Sequence, residues 1–297
     1  MDTGRHKYQR HRWRRSYLSV SILQAEVYYT GHTEHGAHVL AFGRGLEALG
    51  WAVRFGDPSG FKGLVDIHRS TDMLVFWGLK GPSKIMKDAA AAKGLKCAVV
   101  ELPYFRGNGK RSVSILQDGY YLRHNNNGDF LGSAAMPSDR LDVKVKSRKD
   151  KTDGFILVCG QVPGDAQTCE IDIRVWEEKI IDRLVKSGEE VVYRPHPNVK
   201  KSDQSLEDQL DNCKAMVAYN STATVECIIK GVPFWSPERS QYSPMACTMG
   251  EWKAKPKKDR EQFLANLAYC DYSKDEFFEG GPVAHIESII KGRKDGW

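Results

Sequence analysis

No apolar run in this 297-residue sequence approaches the roughly 18 residues that a bilayer-crossing helix needs, so no membrane span is expected. Residues 17–25 form only a short, mildly apolar stretch behind a basic start, without the long apolar region and small-residue cleavage site of a secretory signal. A cytoplasmic chain is the expectation. The seven cysteines are scattered, odd in number and without a CxxC pair, which argues against a disulfide framework or a thiolate zinc site and for reduced thiols. HExxH is missing as well. Three histidines crowd the run GHTEHGAH at 31–38, but a loop lacks the fixed i, i+4 spacing of helical zinc motifs, so no metal is expected. No internal repeat of 20 to 50 residues is visible, which excludes a solenoid.

What is present is ordinary for a globular protein: 41% hydrophobic and 28% charged residues. The length favours two cores of roughly 130 to 150 residues over one. The net charge of +6 is unevenly spread. Arg5, Lys7, Arg10, Arg12, Arg14 and Arg15 face only Asp2 within residues 1–16, a local excess of five that leaves the remaining chain near +1. Two readings fit this arm: a contact along a nucleic-acid phosphate backbone with Trp13 and Tyr17 available for stacking, or a solvated tail.

The remaining chain alternates strand, loop and helix. Apolar runs at 25–30, 51–55, 73–77 and 97–102 read as strands, with helices at 39–49, closed by Gly50, and in the Ala-rich run before Gly94. Residues 125–151 are rich in Asn, Gly, Asp, Ser and Lys, and read as a linker. A second series follows, with strands at 155–159, 191–194, 215–219 and 232–235 and helices near 171–186 and at 223–230. The expected architecture is α/β: a basic arm at 1–19 and two Rossmann-like domains at 20–150 and 151–297, their parallel sheets facing a central cleft. C-terminal helices complete the second domain.

The informative polar clusters fall where strands end and helices begin. VVYRPHPN at 191–198 places Arg194 and His196 at one such end, and AMVAYNSTATVECIIKGVPFW at 215–235 places Asn220, Ser221 and Thr222 at another. A helix N-terminus with two hydroxyls favours an anion, above all a diphosphate. Glu226, four residues beyond Thr222 on the same helix face, would reach the ribose of a nucleotide held there. The competing reading is a capped helix with a surface glutamate. Pro195 and Pro197 present the His196 imidazole from a rigid turn, suited to donating to a phosphate or acting as a general acid, unless it is simply structural. Gly160 and Gln161, opening the turn GQVPGDAQ, complete the expected donor-binding set.

RPHP, the SLEDQL helix and YNSTATVECIIKGVPFW together resemble the nucleotide-binding half of GT-B glycosyltransferases of the capsule polysaccharide biosynthesis type. In that family a His-Pro turn and a Ser/Thr pair at a helix start contact the donor phosphates. The resemblance covers about residues 154–240, and the first half matches only in architecture. FWGLKGPSK, GYYLRHNNN and REQFLANLAYCDYS also look like bacteriophage glycosyltransferase-like proteins. Such a resemblance implies a transferase that takes a nucleotide sugar as co-substrate and, lacking a DxD motif, needs neither metal nor other cofactor. On the acceptor side Glu34 or His35 is the expected general base, while Arg106, Lys110 and Arg111 of RGNGKR are expected to contact the acceptor. Phage-like features and the basic arm point to a hydroxymethylated pyrimidine in DNA. Capsule-type motifs point instead to a growing glycan, and a non-catalytic nucleotide-binding protein, an epimerase or a hydrolase would share the fold.

Overall fold

Near-continuous apolar strands cannot stand with one face in water, and both sheets of this protein bury their central strands on both sides. The computed structural model describes residues 22–31, 33–60, 66–107, 109–116, 136–149, 151–168, 171–252 and 259–283. The basic arm and the GYYLRHNNN run lie outside the described residues, as does Cys169.

The first series comprises β1 (Gln24–Tyr28), α1 (Glu34–Ala48), β2 (Ala52–Gly56), β3 (Met73–Trp77), α2 (Pro82–Ala92), β4 (Lys96–Glu101) and β5 (Arg111–Leu116). The second comprises β6 (Ile156–Cys159), α3 (Ile173–Lys186), β7 (Val191–Arg194), α4 (Leu206–Asn212), β8 (Ala215–Ala218), α5 (Ala223–Lys230) and β9 (Phe234–Trp235). Then follow α6 (Arg260–Ala268), β10 (Asp271–Tyr272) and α7 (Lys274–Phe278). One sheet has the order β10-β5-β4-β3-β1-β2 and the other β7-β6-β8-β9. The fold is two Rossmann-like α/β units, the GT-B arrangement.

Three departures from the sequence reading matter for the site. First, residues 34–38 are helical: the Thr33 hydroxyl accepts from the Gly36 amide at 2.9 Å and caps α1 five residues before its apolar periodicity begins. A Cβ on Gly36 would stand 1.9 Å from the Thr30 carbonyl oxygen, so only glycine lets this helix start so close to the end of β1. Second, the sheet of the first unit is mixed rather than parallel, because β5, which starts at the last residue of RGNGKR, runs antiparallel to β4. Third, the chain returns after α6: β10 pairs antiparallel with β5, and α7 packs on α1. The segment read as the end of the second domain therefore completes the first sheet. Its helix is held by a capping box between Ser273 and Glu276.

A continuous cluster of buried side chains joins the units, running from Val27 and Phe42 through Phe263, Leu267 and Tyr272 to Leu157 and Met216. The six described cysteines are buried free thiols, and burial pushes Cys213 up to about 11. The stretch 136–149 is ordered rather than loose, with the Lys146 amide donating to the Ile229 carbonyl and the Lys149 amide to that of Gly231.

Candidate functional site

In each sheet the chain leaves its first strand in two directions. β1 lies between β2 and β3, and β6 lies between β7 and β8. The helices that follow diverge to opposite faces, which opens a crevice beyond the carboxyl ends of β1 and β3 and another beyond β6 and β8.

On the second sheet, the turn after β6 and the bend after β8 are tied together. The Gln161 amide oxygen accepts from the Asn220 backbone at 2.6 Å, and the Gln161 backbone donates to buried Glu177 at 2.9 Å. Asn220 is itself 3% exposed and fully occupied. Its side-chain amide donates to Gln167 at 2.7 Å, and its oxygen accepts from the Ser240 hydroxyl at 3.0 Å and the Gln241 amide at 3.1 Å. Asn220 thus sets the shape of the bend. Gly160 precedes this knot, with its amide bonded to the Arg194 carbonyl.

Ser221 turns its hydroxyl back to the Ala223 amide at 3.3 Å, and the Thr224 and Val225 amides bond to the carbonyls of Ser221 and Thr222. The start of α5 accordingly offers its dipole and the Thr222 hydroxyl rather than a row of free N–H groups. Thr222 makes no cap bond. Its oxygen accepts from Arg106 Nη2 at 3.0 Å, a contact that crosses from the first unit. Glu226, one turn on, is half-buried on the same helix.

The RPHP bend lies on the same edge, because β7 and β8 flank β6 in parallel. His196 Nδ1 accepts from the Asn198 amide at 3.2 Å, so the neutral ring carries its proton on Nε2 and can donate there. Burial lowers the His196 pKa, and the nearby Arg106 and Lys80 cations lower it further against the pull of Asp165. Arg194 ends β7, as the sequence predicts. Its guanidinium donates to the Gln204 carbonyl and the Gln209 side chain, both at 2.7 Å, and so pins the turn that leads into α4.

On the first sheet, Glu34 and His35 form the first turn of α1. Arg111, 7% exposed at the start of β5, donates to the Glu34 carboxylate and, at 2.7 Å, to the Lys110 carbonyl. His35 stacks on Trp77, with ring centroids 3.8 Å apart and planes 8° from parallel. Burial depresses its pKa, the Arg111 charge adds to the shift, and Glu34 opposes it. His38, one turn on, bonds the Glu34 carbonyl through Nδ1 at 2.9 Å. His35 Nδ1, His38 Nε2 and Arg111 Nε are buried without a hydrogen-bond partner, three of seven such atoms among the described residues. These three lie around one helix start, so the buried polar groups left without a partner are concentrated there.

The three cations of RGNGKR take separate positions. Arg106 reaches the second unit, Arg111 is buried against Glu34, and Lys110 stands half-buried between them. The contributions of Lys80, Asp165 and Gln167 are not apparent from motifs, since each becomes a site residue only through the loop that carries it. Among the described residues no group of His, Cys, Asp and Glu is arranged to hold a metal ion, and no helix is long and apolar enough to cross a membrane.

No family model and no curated protein matches the sequence. Solved structures do match its fold. The β-Kdo 2,4 transferase of Thermosulfurimonas dismutans KpsC superposes with a TM-score of 0.53 at 15% identity, over 82% of this chain and 90% of that one. The β-Kdo 2,7 transferase of the same KpsC gives 0.52 at 12% identity, over 88% and 99%. At such identities the likeness is one of fold, and it extends along nearly the whole of both transferase chains: this protein has the two-unit α/β architecture on which those enzymes are built.

Proposed function

We propose that this protein is a glycosyltransferase that moves a sugar from a nucleotide-sugar donor to a hydroxyl acceptor. The observation that carries the reading is the position of the RPHP bend and the Asn-Ser-Thr bend on one edge of the second sheet, where Arg106 of the first unit bonds Thr222. The donor phosphate sits between His196 Nε2, the Thr222 hydroxyl and the start of α5, and Glu226 faces the ribose. Gly160, Gln161, Asn220 and Ser221 shape this half, and no resident cofactor takes part. Departure of the phosphate breaks the bond from the anomeric carbon to its oxygen, and the developing negative charge is met by the His196 proton and the helix dipole.

The acceptor hydroxyl attacks the same carbon, and its proton passes to His35. Of the two candidate bases His35 is favoured over Glu34. The carboxylate is held by Arg111, whereas the imidazole, neutral because burial lowers its pKa, keeps an unpartnered nitrogen.

Incubation with UDP-, GDP- and CMP-sugars, alone, with hydroxymethylated DNA and with oligosaccharide acceptors, followed by mass analysis, tests the reading and identifies the acceptor. A sugar-sized mass gain on an acceptor supports transfer. Donor consumed without acceptor indicates a hydrolase or epimerase, and binding without turnover indicates a non-catalytic protein. His196→Ala, and separately Ser221→Ala with Thr222→Ala, are expected to reduce kcat/KM more than tenfold, about 1.4 kcal/mol. Near-normal rates in both would overturn the assignment.

A further inference from the structure

We infer that the positive charge that grips the donor phosphate is supplied from the opposite unit, by Arg106 with Lys80 beside it, and that Arg106 is a donor-binding rather than an acceptor-binding residue. This rests on the transferase reading and assigns a residue that the reading does not need.

The cation expected to serve the phosphate from within the second unit is Arg194, whose Nη1 is engaged by Gln204 and Gln209 in the turn that leads into α4. Two cations cross from the first unit instead. Arg106, in the turn after β4, bonds Thr222 Oγ1 at 3.0 Å, and Lys80, in the turn after β3, lies 3.5 Å from Asp165 in the turn after β6. The two turns they reach, after β8 and after β6, are tied to each other by Asn220, which bonds Gln161 and Gln167. A hydroxyl that accepts from a guanidinium keeps its own proton to donate, so Thr222 and Arg106 can engage one phosphate oxygen pair together.

Arg106 is exposed, yet the turn that carries it is fixed. Buried Asp271 of β10 accepts from the Tyr104 and Phe105 amides at 3.1 and 3.0 Å. The Tyr104 hydroxyl donates to Gln241 at 2.9 Å, and the Gln241 amide donates to Asn220, the residue before Ser221. A chain of hydrogen bonds thus spans the cleft from the returning C-terminal strand to the bend that holds the phosphate. Arg106 is held in register with Thr222 by the same contacts that shape the bend.

Calorimetric titration with UDP, GDP, CDP and CMP, and with uridine, guanosine and cytidine as phosphate-free counterparts, tests the inference. Arg106→Ala is expected to weaken the best nucleotide at least tenfold, to flatten the salt dependence of its binding, and to leave the matching nucleoside unchanged. Arg106→Lys restores part of the affinity, because it keeps the charge and loses the planar fork. Lys186→Ala, which removes an exposed charge paired with Asp182 at the far end of α3, leaves nucleotide binding unchanged. Should wild-type protein bind a nucleotide and Arg106→Ala bind it equally well, or lose nucleoside and nucleotide alike, the inference falls while the transferase reading stands. If wild-type protein binds none of the nucleotides, the reading falls and takes the inference with it.

Discussion

A histidine on a helix start is commonplace, and His35 stands out because of what surrounds it. Trp77 covers one face, and buried Arg111 repels a second positive charge. Burial and the Arg111 charge hold the His35 pKa below its ordinary value and keep the ring neutral, the state a base requires. His35→Ala is expected to cost between about 10² and 10⁴ in kcat, the usual worth of a positioned base. Glu34→Gln should cost much less, since it removes a partner of Arg111 and leaves the imidazole in place. A greater loss in Glu34→Gln would transfer the role to the carboxylate. The pH dependence has a definite sign. Folded His35 and His196 both protonate below the ordinary 6.5, so the acid limb of activity lies below that value. Between 6.5 and the lowered midpoints the unfolded chain binds more protons than the folded one, so stability also falls as pH drops through that window. Titration of the two ring Cε1 protons by NMR would expose the error if either midpoint stood at or above 6.5.

Elements differ in how openly the sequence announces them. β3, β7 and α5 occupy the residues read for them, because apolar runs there are bounded by Gly, Pro or a capping pattern. α1 starts earlier than its periodicity, since its first turn, EHGAH, is polar and its cap is a threonine in a run that otherwise reads as loop. β5 went unread because RSVSIL alternates small and polar residues behind a Gly-rich turn, and β10, at two residues, carries no periodic signal at all. RPHP and NST were legible as strand-end bends, and the parallel pairing of β7 and β8 with β6 places both on one sheet edge. The contact of Arg106 with Thr222 was not legible, since only the folded sheets bring the turns after β4 and β8 together. The contact of α1 with α7 also depends on tertiary structure. A Cβ on Gly45 would lie 2.1 Å from the Phe277 carbonyl oxygen, a backbone atom that cannot swing aside. Gly45→Val is expected to destabilise the protein by about 1 to 3 kcal/mol, the usual range for overpacking. An unchanged midpoint in urea would show that the helices separate at little cost.

The whole molecule is closed by its own C-terminal segment. Tyr272 and Phe277, 1% and 0% exposed, are placed by β10 and α7 in the core of the first sheet, although the residues just before them, on α6, pack in the second unit. Two Rossmann-like units joined by a single linker would be free to unfold one after the other. Here the chain crosses back, and the buried cluster is continuous from Val27 to Met216. Coupling of that kind makes the stability of one unit a property of both. Thermal unfolding followed by calorimetry is therefore expected to show a single transition. Phe277→Ala, a core truncation worth about 3 to 5 kcal/mol, should move that transition as a whole to lower temperature. The result to watch for is a split. If Phe277→Ala lowered the melting of the first unit and left a second peak at the original temperature, the returning segment would be an appendage of one unit. The hydrogen-bonded path from Asp271 through Tyr104 to Asn220 would then have no bearing on how the two halves of the site are held in register.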